Sequence, residues 1–480
     1  MSLNYVLAWL LPWVTGCGIC LALNRGRREP GDLVAATGMG LLVGIFIAAA
    51  LSCMLAAGNT VAAFSRAAPW LAGIGLLAWT AVFVFREPSR TPALFAKAGS
   101  TGWRLFWGLL LLAILVRLSV IASETLLHPT FPWDAWAAWA VKPKAWFLLG
   151  HQVPYAPIQE WLSKPDLDLR TSSIWDYPEL LAWVQIWFAS AAGGWNEPLI
   201  NTVWVGVLAA IGLASYGQWR ALGIRPVMAM LLVYGLMSLP LLDAHAALAG
   251  YADLWVAAAL GMAVLCWLRW ISQRNPGQLL LAAVFALSLP LIKLEGAVWL
   301  LIFSTVVLLG MLSRRSRWIV FASLVSLAAI GIALGGFLMP IFGLGWIHLA
   351  WGQVIIPALG ELDLHWRPVG SAMLSGLLTL PNWHLLWYLA PLVIALRWRV
   401  LVQDRCARSL GALLAGCALF LFVLFFFTDA AAWAENYTSA NRLVLHIVPA
   451  MFSLLALLLA DVRLSGAGKS PAPLVQTSPG

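Results

Sequence analysis

Charge is what this chain has least of. Only 10% of its 480 residues are Asp, Glu, Lys or Arg, against 62% that are hydrophobic. A soluble domain carries about 25% charged residues, so a soluble globular class is excluded. Cysteine is scarce as well, six in all and scattered. Cys17 and Cys20 make a CxxC inside the first apolar run, where packing explains them better than redox or metal chemistry. Metal-ligand spacing is missing, since His128, His151, His348, His365 and His384 stand apart, and no metal site is assigned. No cofactor is expected, although the sequence leaves a divalent metal open. No internal repeat recurs at a fixed period. The first apolar run lacks a basic leader and a small-residue cleavage site, so it reads as a retained span rather than a signal peptide.

What is there is apolar runs of roughly 15–25 residues, one after another, the mark of helices that satisfy their own backbone in lipid. They predict an all-α polytopic membrane protein of about 13 transmembrane helices. The first is Leu3–Leu23 and the last Leu443–Ala460; Val227–Leu241, Leu279–Ile292, Ala297–Leu312, Trp318–Phe342 and Trp383–Leu396 are among them. The 29 Trp suggest interfacial anchors. The net charge of +9 invites a nucleic-acid reading. It is rejected, because the basic residues lie in short turns between runs, where topology explains them.

One stretch, Pro178–Ala192, is ambiguous. Its length of roughly 22 Å falls short of a bilayer core. Treating it as non-spanning, with the N-terminus outside and the C-terminus cytoplasmic, gathers most of the 29 basic residues on one side. They include Arg25, Arg27, Arg28, Arg86, Arg90, Lys97, Arg104, Arg220, Arg225, Arg269, Arg274, Arg463 and Lys469. Letting it span would turn the later clusters outward, against the positive-inside bias. It is therefore expected to lie on the outer surface as an interfacial helix. A second such helix carries Trp136, Trp139 and Trp146 on one face, with Pro143 expected to kink it. Four parts follow: residues 1–104, additional N-terminal helices; 105–312, a core that includes one extracytoplasmic loop, 124–198; 313–462, C-terminal helices; and 463–480, a tail without core-forming residues that is expected to be disordered.

The loop concentrates acid: Glu124, Asp134, Glu160, Asp166, Asp168, Asp176, Glu179 and Glu197, out of 20 acidic residues in the chain. Further ionisable residues fall at the outer ends of spans, namely Asp243, His245, Asp253, Lys293, Glu295, Arg442 and His446. Charges at such depth face a polar cavity or pair with each other. Each also has a structural reading. Asp134 and Asp253 could cap helices; Asp176 and Glu179, beside Tyr177, could serve a helix dipole; Lys293 could snorkel and pair with Glu295; His446, at i+4 from Arg442, could be a packed polar residue.

In order and topology the chain resembles the glycosyltransferase C superfamily, in particular the protein O-mannosyltransferase and aminoarabinose transferase branch. The resemblance rests on Pro132-Trp133-Asp134-Ala135-Trp136 after an early span and on Trp175-Asp176-Tyr177-Pro178-Glu179-Leu180 late in the loop. It continues in the hairpin carrying Pro240 and Asp253, the turn Lys293-Leu294-Glu295-Gly296, and Asn441-Arg442 with Pro449. It covers about residues 105 to 460. It departs from the family in three spans that precede the one leading into the loop and in a single Pro in the Tyr177-Pro178 motif. Asp176 also stands where a basic or His residue is common, and no periplasmic acceptor module is present.

The resemblance implies a sugar moved, with inversion, from a polyprenyl-phosphate carrier to a glycan, lipid or protein acceptor at the outer face of a bacterial inner membrane. Asp134 would be the general base. Lys293 and Arg442, supported by His446, would hold the lipid phosphate. Asp176, Tyr177, Glu179, His245, Asp253 and Glu295 would line the substrate pocket. A transporter or flippase of a lipid-linked or amphipathic solute is the rival reading.

Overall fold

A computed structural model describes residues 2–24, 29–85, 100–165, 167–334, 337–341, 345–350, 352–356 and 360–460. The expected disordered tail, the basic residues Arg25, Arg27, Arg28, Arg86, Arg90, Lys97, Arg463 and Lys469, and Asp166 lie outside the described residues.

The chain opens with four long helices: α1 (Leu3–Leu23), α2 (Asp32–Ala56), α3 (Ala63–Val84) and α4 (Thr101–Leu127). The following loop holds α5 (Val141–Leu149), α6 (Ile158–Ser163) and α7 (Leu180–Ala192). Next come α8 (Glu197–Ala221), α9 (Pro226–Met237), α10 (Pro240–Ala247), α11 (Asp253–Gln273), α12 (Pro276–Ile292), α13 (Glu295–Met311) and α14 (Arg314–Ala333). A short antiparallel meander, β1 (Phe337–Ile341), β2 (Gly345–Ala350), β3 (Gln353–Ile356) and β4 (Gly360–Asp363), pairs in chain order. The last helices are α15 (Gly370–Leu374), α16 (Leu386–Leu396), α17 (Trp398–Gln403), α18 (Arg405–Phe427), α19 (Ala431–Glu435) and α20 (Ala440–Leu458). The described residues are thus helical apart from the meander, whose first strand falls within the expected span Trp318–Phe342; helix α14 ends at Ala333 instead.

Helix starts follow local chemistry. Ser2, Asn196, Asn275 and Asp404 each accept a backbone N–H of the first turn, and Pro198 and Pro276 sit where a missing N–H does no harm. Among the described residues eight helices are long and apolar enough to cross a membrane, and α9 with α10, bent by 61°, adds a ninth if counted as one span. These long apolar helices fit an integral membrane protein. Helices α12, α13 and α16 are shorter, with 17, 17 and 11 residues, so the expected thirteen reduce to eight or nine on length and composition.

Helix α11 is the centre, with 94% of its apolar window buried, against 17% for α4 at the periphery. It packs on α8, α12, α18 and α20. Its run of Ala257, Ala258, Ala259 and Gly261 lets neighbours approach closely. Helices α1 and α2 come closer still. A Cβ on Gly44 would sit 1.7 Å from the Pro12 carbonyl oxygen, so only glycine fits there.

Two expectations about tryptophan and the loop need correction. Many tryptophans are core residues rather than anchors: Trp183, Trp187, Trp204, Trp219, Trp255, Trp267 and Trp299 are all buried. Helix α7 does not lie on a surface, for its residues are buried on nearly every side by α1, α2, α3 and α8. Trp187 Nε1 donates to the Ala8 carbonyl at 3.0 Å, and Ser190 Oγ to Val61 at 2.6 Å. The helices ahead of the core supply that cover. In the other expected surface helix, residues Ala135–Trp139 form a π-turn before α5. The changed register leaves Trp136 exposed while Trp139 and Trp146 are buried. Pro143 falls in the first turn of α5, where a missing N–H is tolerated, and the Trp139 carbonyl four residues back accepts from Gln185 Nε2 at 3.2 Å.

Candidate functional site

Asp253 is the first residue of α11 and is fully buried. A carboxylate with no access to water needs charged, hydrogen-bonding partners, and it has two cations and a histidine. Lys293 Nζ donates to Oδ1 at 2.9 Å, His446 Nε2 meets the same oxygen at 3.0 Å, and Arg442 donates to Oδ2 from Nε at 2.9 Å and from Nη2 at 2.8 Å. Arg442 Nη1 then reaches Asp134 Oδ2 at 2.5 Å, and Lys293 also pairs with Glu295 Oε1 at 3.1 Å. Asp134, Lys293, Arg442, His446, Asp253 and Glu295, picked from four separate parts of the sequence, are therefore in one connected cluster.

The fold holds each of them firmly. Lys293 and Glu295 bracket the tight turn between α12 and α13. Arg442 and His446 lie one turn apart on α20, which packs along α11. Trp299 Nε1 donates to His446 Nδ1 at 2.9 Å, which leaves the ring proton on Nε2 to donate to Asp253. The Arg442 guanidinium stacks over Tyr251, 4.6 Å from the ring centroid. Asp134 makes no helix-capping bond, so its carboxylate serves Arg442 rather than the π-turn that follows it. Such turns recur at functional sites. Gly250, at φ +115°, makes this approach possible: a Cβ there would come within 2.5 Å of the Ala135 Cβ.

A second polar group borders the first. Lys142 is buried and donates to the carbonyls of Trp175 at 2.7 Å and Tyr177 at 2.9 Å. It thereby fixes the Trp175–Tyr177 turn, and Tyr177 packs edge-on against Trp139 at 5.3 Å. Glu179 accepts from Gln152 Nε2 at 2.8 Å. Burial raises the Glu179 carboxyl above its ordinary range, tempered by Lys142 and Gln152. Burial, reinforced by Glu295, pushes the Tyr177 hydroxyl up to about 12, so it remains a donor. For Lys293 burial works to lower the value, but Asp253 and Glu295 outweigh it and hold the ammonium above the usual lysine range.

Not every expected residue joins. Asp176 is exposed and its side chain makes no hydrogen bond among the described residues. His245 sits behind Tyr251, ring to ring at 5.5 Å, and bonds the Leu241 carbonyl at 2.8 Å. Asp243 pairs with Arg117 on the far side of α10. Sequence reasoning missed Lys142, Trp299 and Tyr251; a lysine beside Pro143 among tryptophans was the one available signal.

Chemically, the cluster sets three carboxylates (Asp253, Asp134, Glu295) against two cations. Among the described residues neither cation is saturated. An ammonium has three N–H donors and Lys293 uses two; a guanidinium has five and Arg442 directs three at carboxylates. One Lys293 donor and two Arg442 donors are thus not directed at a carboxylate, and Asp134, two-fifths exposed, can accept a proton at its second oxygen. Among the described residues no three His, Cys, Asp or Glu converge as metal ligands. The chain matches no protein-family model, no curated protein and no solved structure.

Proposed function

We propose that this protein is an integral-membrane glycosyltransferase that takes a sugar from a polyprenyl-phosphate carrier and transfers it, with inversion, to an acceptor at the membrane surface. The observation that carries the reading is the junction of Asp134 with Arg442, Asp253 and Lys293. In this scheme an acceptor O–H or N–H attacks the anomeric carbon as the carbon–oxygen bond to the carrier phosphate breaks. Asp134 receives the proton, and the unused donors of Lys293 and Arg442 take up the charge on the departing phosphate. Asp253, rather than merely shaping the pocket, aligns both cations, with His446 and Trp299 bracing it. Tyr177, Glu179 and Glu295 border the sugar. The site end faces out of the cytoplasm of a bacterial cell, and α12, α13 and α16 join the nine longer spans within a set of about 13.

The test is release of free carrier phosphate from a labelled donor by purified protein. Asp134→Asn should reduce it by about 10²–10⁴-fold, the scale of general-base catalysis, while the variant stays folded; wild-type transfer by Asp134→Asn removes the base from the scheme. The bend between α9 and α10 favours a second reading, a transporter, because broken helices line many transport sites. Solute movement without bond cleavage in the same preparation would establish that reading instead.

A further inference from the structure

Two open grooves run along α4, on the other side of α10 from the acid–base cluster. One, about 790 Å³, lies between α4 and the bent α9–α10 pair. The other, about 700 Å³, lies along the next face of α4. They share Val116 and Val120 as a common ridge and meet at Glu124. Their polar content is small. Ser119 and Ser123 donate back to carbonyls of their own helix at 2.8 Å each. Arg117 pairs with Asp243 and donates to the Ser238 carbonyl at 3.1 Å, so those two charges cancel. Tyr234 lines the first groove, and His128, one turn beyond Glu124, closes the end of the second against Phe131. The one acid left over is Glu124, exposed, with neither a hydrogen bond nor an ion pair among the described residues.

We propose that this double groove binds one two-chain phospholipid with a primary-ammonium headgroup, its chains straddling the Val116–Val120 ridge and its ammonium on Glu124. Three observations converge. The grooves are paired, similar in size and joined at one end, which matches two hydrocarbon chains leaving one headgroup. From Glu124 to Leu112 the helix rises about 18 Å, close to the roughly 15 Å depth of one leaflet's hydrocarbon. Glu124 also stands in the last turn of α4, where unpaired carbonyls already favour a cation and disfavour an acid. A primary ammonium offers three N–H donors to this carboxylate and these carbonyls; a quaternary choline head offers none.

The experiment uses the full-length protein in detergent, incubated with equimolar dioleoyl phosphatidylethanolamine, phosphatidylcholine and phosphatidylglycerol, with retained lipid read by native mass spectrometry. Phosphatidylethanolamine should be retained preferentially at one molecule per chain. Glu124→Gln, an exposed change that leaves the fold intact, should cut that preference about threefold, the scale of a part-exposed ion pair. Ala113→Phe, which fills one groove only, should weaken the two-chain lipid and spare its single-chain lyso form. Equal retention of phosphatidylcholine, preference for phosphatidylglycerol, or a preference untouched by Glu124→Gln would each overturn the assignment.

Discussion

At the scale of single residues, Asp253 and Asp134 share Arg442 but differ in what their loss should do. Asp253 has no solvent access, and replacing it with Asn leaves Lys293 only Glu295 and Arg442 only Asp134 as ionic partners. Losing one member of a buried ion network costs about 3–5 kcal/mol, so Asp253→Asn should show a large fall in thermal stability in detergent. Asp134 is two-fifths exposed, and its loss should cost at most about 1 kcal/mol. Equal stability of the two variants would refute the view that Asp253 organises the site. The sequence marked both acids, together with Lys293, Arg442 and His446, because a charge inside or beside an apolar run stands out. It could not distinguish the buried hub from the half-exposed partner, since burial depends on α20 and the 293–295 turn meeting over α11. Trp299 and Tyr251 carried no signal at all, being two aromatics in a chain with 29 tryptophans.

At the scale of elements, the long helices were legible and the short pieces were not. Periodicity and length identify α1, α2, α4, α8, α11, α18 and α20, but an apolar run of modest length reads alike as strand or buried helix, which hid β1 within an expected span. Helix α7 reads as a surface helix because it is short for a span and because letting it span would turn the later basic clusters outward; what covers it is a contact with α1 and α3 far away in sequence. The approach of the loop to the core is equally non-local, and it hangs on Gly250. Gly250→Ala combines a positive φ with a clash against Ala135, and such strain costs on the order of 1–3 kcal/mol. It should reduce the proposed transfer more than stability, by moving Asp134 off Arg442, and adding Ala135→Gly should recover part of the loss; a fully active Gly250→Ala enzyme would refute this. The Lys142 turn gives a pH test. The Glu179 carboxyl is raised in the folded protein by burial, so the native state binds the proton more tightly than the unfolded chain. Its contribution is complete below the ordinary glutamate value of 4.5 and is lost as pH rises through the raised folded value. Melting temperature should therefore drop over that window in the wild type, and Glu179→Gln should flatten the drop.

At the scale of the whole molecule, α11 joins two polar centres at opposite ends. Sixteen residues beyond Asp253, about 24 Å along the helix, Arg269 donates to Asp32 at 2.8 Å and to Gln218 at 3.0 Å, with both ionic side chains buried. Gln218 continues to Gln278 at 3.1 Å, and Gln278 to Asn24 at 3.2 Å, so α1, α2, α8, α11 and α12 are tied at one level. The charge pattern had assigned Arg269 and Arg220 to basic turns as topology signals; both are buried inside the bundle instead. A count of positive residues registers sign and sequence position, and Asp32 lies too far along the chain to be recognised as a partner. This second centre contains no side chain of the proposed reaction, which separates stability from chemistry. Arg269→Met should destabilise by about 3–5 kcal/mol because Asp32 is left buried and unpaired. Pairing it with Asp32→Leu should recover most of that loss, since apolar replacements of a buried ion pair are often neutral. Transfer per folded molecule should stay at the wild-type level in both variants, because Asp253, Lys293 and Arg442 keep their contacts at the other end. If the double variant regains its melting temperature but not its activity, the two ends are coupled through α11, and the separation drawn here between a structural end and a reactive end is wrong.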